Sequence, residues 1–200
     1  MIRTYDSRDK RIGDFGAGWN LSLRDIRIEK TGVTGIGWEE TSTGGAFPTF
    51  SLHPLKARKV TVTFPDGRVF KFQATANPAT QQFVPIQGGT ISYVQVPGTS
   101  GTAGAALEIA GSSQFLVDGA VPGGVNLFST SGADVANPTR FRLTTAEGFV
   151  YLVDQSMGLQ SVTEPNGNAI TITPGGIIHS NRASVTFTRD ALSGVPYDFC

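Results

Sequence analysis

Cysteine is almost missing from this chain. The single one, Cys200, stands at the last of 200 positions, so no intrachain disulfide can form and the fold must rest on its core. Exported proteins also do without disulfides, so this leaves the compartment open. No apolar run reaches the length of a membrane-spanning helix. The start, Met1-Ile2-Arg3-Thr4-Tyr5, has no secretory apolar core. The expectation is either a protein not exported by a cleaved leader or an internal piece of a longer one. The strand and turn at Val185-Thr186-Phe187-Thr188-Arg189-Asp190, so near the last position, favour a piece. Charge is scarce as well, at 16%, with 16 basic residues against 16 acidic ones. A chain without basic excess is not an ordinary nucleic-acid binder, nor does it carry a polybasic membrane anchor. Between Lys71 and Arg140 there is no Lys or Arg, and the only acids are Glu108, Asp118 and Asp134.

What the chain has instead is glycine, 25 residues of it, and short runs of Val, Ile, Thr and Phe. That composition predicts an all-β fold. Lys59-Val60-Thr61-Val62-Thr63-Phe64 alternates with period two and puts Val60, Val62 and Phe64 on one face. Pro65-Asp66-Gly67 supplies a turn, because proline presets φ and glycine accepts positive φ. Phe70 and Phe72 then share a face on the return strand. The device recurs in 141–153 around Glu147-Gly148 and in 159–173 around Pro165-Asn166-Gly167-Asn168. It appears again in 177–187 around Ser180-Asn181-Arg182. The later units follow one another at about twenty residues, the mark of a repeat array. A lone two-stranded hairpin is marginal, so the units are expected to pair edge to edge into one extended antiparallel, curved or coiled sheet.

Residues 73–139 read differently, rich in Ala, Gly, Ser, Pro and Thr, with strand-like stretches at 90–96, 106–109 and 114–117. The expected organisation is therefore 1–72 as an opening segment with the first hairpin, 73–139 as an irregular β insertion with mobile loops, and 140–200 as degenerate hairpin repeats. Hairpins on the two sides of residue 140 are able to join one sheet.

The opening is the most distinctive stretch: Arg3, Tyr5-Asp6-Ser7, then Gly13-Asp14-Phe15-Gly16-Ala17-Gly18-Trp19. It resembles the segment that precedes the repeats of RHS/YD-repeat proteins. The stretch Gly158-Leu159-Gln160-Ser161-Val162-Thr163-Glu164-Pro165-Asn166-Gly167-Asn168-Ala169-Ile170-Thr171-Ile172 is similar to one such repeat unit. Thr173-Pro174 stands where the Tyr-Asp dipeptide of a unit belongs, so the resemblance is to the degenerate front of an array. It implies hairpins wound into a hollow β-shell that encloses a C-terminal polypeptide, often a toxin in bacteria, and a secreted or cell-surface location. The implied partners are the rest of a longer chain and that enclosed domain. The implied role is structural, with no catalytic residue, cofactor, metal or nucleic acid and no membrane span.

The residues singled out are accordingly scaffold residues. Tyr5, Phe15 and Trp19, with Gly16 and Gly18 beside them, are expected to anchor the opening segment. Gly67, Gly148 and Gly167 are expected to set turns. Gly13-x-x-Gly16-x-Gly18 lacks the strand-to-helix context and lysine of a phosphate loop. His53 and His179 lie in no ligand-spaced cluster, and no Gly-x-Ser-x-Gly element is present. Asp66, Glu147 and Glu164 sit at turns, where turn chemistry explains them without a glycosidase carboxylate pair. The rival reading is a glycan-binding adhesin face built on Phe83, Tyr93 and Phe115. Exposure of those rings discriminates the two.

Overall fold

The computed structural model describes residues 3–5, 7–8, 12–13, 16–17, 19–21, 26–96, 102–119, 123–130 and 134–188. Among them there is no helix. The strands run β1 (Arg3–Tyr5), β2 (Ile12–Gly13), β3 (Gly16–Ala17), β4 (Trp19–Leu21), β5 (Arg27–Lys30), β6 (Trp38–Ser42), β7 (Thr49–Pro54), β8 (Lys59–Thr63), β9 (Val69–Asn77) and β10 (Thr80–Gln82). They continue as β11 (Gly88–Gln95), β12 (Ala106–Ile109), β13 (Gln114–Gly119), β14 (Gly123–Ser129), β15 (Arg140–Thr144), β16 (Val150–Asp154), β17 (Gly158–Thr163), β18 (Ala169–Thr173), β19 (Gly176–His179) and β20 (Ser184–Thr186).

The all-β expectation holds. Strands β5 to β20 join one 16-stranded sheet, which does not close, and every pairing in it is antiparallel. The four hairpins read from the sequence are all present, as β8–β9, β15–β16, β17–β18 and β19–β20. The alternation places the predicted side chains inside: Val62 and Phe72 are fully buried, and Val60, Phe64 and Phe70 nearly so.

Strand β11 is the branch point. Thr90 pairs with Asn77 of β9 and Gln114 of β13, while Tyr93 pairs with Ala74 of β9 and Leu107 of β12. One edge of β11 is thus taken by β9, and its other edge is divided between β13 and β12. Three arms leave it: β9-β8-β5, β13-β14-β6-β7-β10 and β12-β15-β16-β17-β18-β19-β20. Residues 73–139 supply this junction. The long strand β9 runs straight through residues 72 and 73, and β12 pairs with β15 across residue 140.

The arms turn toward each other over a shared core. The Phe64 ring meets Tyr151 edge-on with centroids 4.9 Å apart, and Tyr93 meets Phe141 at 5.6 Å. Trp38, Phe72, Phe115, Phe141, Leu127 and Leu143 fill the interior. At the rim, Lys30 of β5 donates to Asn137 Oδ1 at 2.6 Å and to the Pro138 carbonyl at 2.9 Å, tying the first arm to the segment leading into β15. Each large apolar side chain buried this way contributes about 1.5–3 kcal/mol relative to exposure. Truncating one such as Phe72 to Ala is worth about 3–5 kcal/mol.

Candidate functional site

Three turns share one geometry. In Phe64–Arg68, the Phe64 amide donates to the Arg68 carbonyl and the Gly67 amide to the Phe64 carbonyl. Thr145–Phe149 and Glu164–Asn168 repeat both bonds at the same spacing. The glycines have φ of +87° (Gly67), +86° (Gly148) and +89° (Gly167). This is the three-residue hairpin loop that ends in a left-handed residue, where glycine carries no steric cost. The side chain before the glycine adds a clasp: Asp66 Oδ1 accepts from the Arg68 amide at 3.0 Å, and Asn166 Oδ1 from the Asn168 amide at 3.0 Å. The three glycines therefore sit where the sequence placed them. His179–Ala183 makes the same pair of backbone bonds, with Arg182 in the glycine position at φ +72°.

The turn carboxylates are occupied locally. The Arg68 amide, and then the Arg68 guanidinium at 2.8 Å, hold the Asp66 carboxyl below its ordinary value. The same guanidinium lies 4.8 Å from the Phe64 ring centroid. Proximity of the Thr145 hydroxyl is the main cause lowering the exposed Glu147, although that hydroxyl makes no hydrogen bond of normal geometry among the described residues, and Glu164 accepts weakly from the Asn168 amide group at 3.4 Å. His53 faces Glu39 across β6 and β7 at 3.5 Å, and His179 Nδ1 accepts from the Asn181 amide. Among the described residues no three His, Cys, Asp or Glu side chains come together as metal ligands. A pocket of about 280 Å³ is lined by Ser112, Ser113, Ser129, Asp134 and Asn137, with Asp134 the only carboxylate among the described residues that line it.

In the opening segment the backbone brings Tyr5 and Trp19 together as cross-strand partners of β1 and β4, and Gly16 pairs with Gly13 in a separate two-stranded ribbon of β2 and β3. Phe15 and Gly18 lie outside the described residues. Of the three rings offered for a glycan face, Phe115 and Tyr93 are buried in the core, while Phe83 is exposed. Phe83 stands against Phe47, edge to face at 5.9 Å.

Comparison with protein-family models, with curated proteins and with solved structures finds no match. The site is thus read from its own geometry, and that geometry adds residues the sequence did not mark. Trp38 is fully buried and donates its indole N–H to the Thr34 carbonyl at 2.8 Å. Glu40 is fully buried too, and its Oε1 accepts from the Ile86 amide at 2.6 Å. The signal for both was the apolar parity of β6, Trp38 and Glu40 in and Glu39 between them, which a carboxylate at an inward position disguises.

Proposed function

We propose that this chain is a non-enzymatic wall segment of an RHS/YD-type β-shell, secreted or at a cell surface, enclosing a C-terminal domain that lies beyond Cys200. The observation that carries the reading is an apolar row that runs past the packed core. Ile172 pairs with Ile177, and Ile177 with Val185, so the three share one face of the last strands. Ile172 is buried, Ile177 half-buried and Val185 46% exposed. A core-facing row that opens outward strand by strand suits a sheet continued by further hairpins, each stabilised by its neighbour. The shared turn geometry supports the same reading, since one local device can then be repeated without redesign. Burial of Tyr93 and Phe115 favours wall over adhesin for those two rings.

The test is to produce the chain with the sequence that follows Cys200 in its gene. Negative-stain electron microscopy and limited proteolysis then read the outcome. A closed particle with a protease-protected C-terminal domain is expected. An open particle whose C-terminal part is digested, or a reading frame that stops at Cys200, overturns the proposal.

A further inference from the structure

Phe83 is held in a conformation that a bulky side chain seldom adopts. Its φ is +71°, and the Val84 amide donates to the Gln82 carbonyl across it at 2.9 Å. This is the rarer, strained form of γ-turn. Burial does not compensate for the strain, because the ring is 58% exposed. The neighbourhood nevertheless fixes it firmly. The Phe83 amide donates to the Pro48 carbonyl at 2.8 Å, and Glu40 anchors the following loop through Ile86. Phe47, 74% exposed, meets Phe83 with ring planes 78° apart, so the pair forms a corner of one ring face and one ring wall. Backbone strain kept at an exposed ring is a pointer to function.

Charge and size narrow what such a corner takes. There is no Asp, Glu, Lys or Arg in 41–52 or in 72–107, the two segments that build it. Exposed Thr80 and Gln82 supply a neutral hydroxyl and a neutral amide instead, whereas the Thr43 hydroxyl is held by the Thr49 backbone. An added peptide strand is disfavoured, because β10 is only three residues long and the γ-turn ends it. A second copy is disfavoured by area: two rings and Val84 offer on the order of 400 Å², about half of what each partner of a stable dimer buries.

We propose that the Phe47–Phe83 corner binds a neutral saccharide, with the C–H face of a pyranose stacked on a ring and its hydroxyls on Gln82 and Thr80. This does not depend on the shell reading, since a shell wall and a free module can both carry it. Cellohexaose, chitohexaose and maltohexaose are the probes, with heparin hexasaccharide as the anionic counterpart, read by saturation-transfer and titration NMR on the full chain. At least one neutral probe is expected to bind saturably, with Phe47→Ala and Phe83→Gly each weakening it about tenfold, the scale of one lost stacking platform. Phe83→Gly separates binding from folding, because glycine accepts the positive φ and its melting temperature is expected to equal or exceed that of the parent. Failure of all neutral probes to bind overturns the proposal. Preference for heparin, binding unchanged in both variants, or self-association abolished by Phe47→Ala overturns it as well.

Discussion

Arg182 occupies in the fourth hairpin the position that Gly167 occupies in the third, with φ of +72° against +89° and the same two backbone hydrogen bonds around it. A left-handed residue with a Cβ costs about 1–2 kcal/mol, partly offset in glycine by its larger loss of chain entropy. Arg182→Gly is therefore expected to stabilise by about 0.5–1 kcal/mol. Hydrogen exchange of the β19 and β20 amides is the sharper readout, since a terminal hairpin opens locally. Gly167→Ala is expected to move the other way by about 1–2 kcal/mol in urea denaturation. An added Cβ there meets no atom within 4 Å, so the penalty is one of backbone alone. Equal stabilities across the pair would show that the turn tolerates the side chain.

Glu40 spends a buried carboxylate on one backbone amide. Oε1 holds the Ile86 N–H, and Oε2 has no hydrogen-bond partner among the described residues. Removing the acceptor leaves a buried donor unsatisfied, which costs about 1–3 kcal/mol before any cavity is counted. Glu40→Ala is expected to lose at least that much in urea denaturation, and Glu40→Gln clearly less, because the amide oxygen can take over from Oε1. An alanine variant as stable as the glutamine variant would remove the Ile86 bond from the account.

The turns and the faces of β8 and β9 were legible because each depends on neighbours in sequence: Asp66-Gly67, Glu147-Gly148 and Asn166-Gly167 state their own conformation. Arg182 was not legible as a left-handed residue, since arginine carries no such signal and only the bonds around His179 and Ala183 reveal it. The branch at β11 was hidden for a different reason. Periodicity gives the face of a strand, not its partners, and nothing in 88–95 announces one edge shared by β12 and β13. The candidate rings divide along the same line. Tyr93 follows Ile91 by two positions and goes in with it, whereas Phe115-Leu116-Val117 has no alternation to read. Phe83 lies in a turn outside any strand, and its partner Phe47 is distant in sequence.

Asp154 is nearly buried and closes the tight β16–β17 hairpin. Its Oδ1 accepts from the Ser156 amide at 2.8 Å, the Ser156 hydroxyl at 2.7 Å and the Met157 amide at 3.0 Å. Burial pushes this carboxyl up, but these three donors and nearby Arg140 outweigh it, so its pKa lies below the ordinary value. With the folded pKa depressed, the folded chain binds fewer protons than the unfolded one in the window between the two values. The contribution is then complete above about pH 4 and is lost as pH falls through the folded pKa. Asp154→Asn is expected to be less stable than the parent at neutral pH, with the gap in urea midpoint narrowing on acidification below about pH 4. A gap constant with pH would assign the loss to geometry rather than charge.

Tyr93 gives the opposite sign at the other end of the scale. Burial pushes its phenol up to about 12, and the Thr34 side chain opposes this only in part. The ordinary value is about 10, so from there upward the unfolded chain gives up a proton that the folded chain keeps. Stability from this group is fully present below about pH 10 and falls as pH rises toward the folded value. Among the described residues the hydroxyl makes no hydrogen bond of normal geometry, and the ring keeps its edge-on contact with Phe141 when the oxygen is removed. Tyr93→Phe is thus expected to lie within about 0.5–1 kcal/mol of the parent at neutral pH, and to lose less stability than the parent between about pH 10 and 12. Urea midpoints across that range, with phenolate absorbance followed in parallel, check both halves. Parallel alkaline declines in the two proteins would mean that Tyr93 ionises as freely in the fold as out of it, and its place in the core would then be wrong.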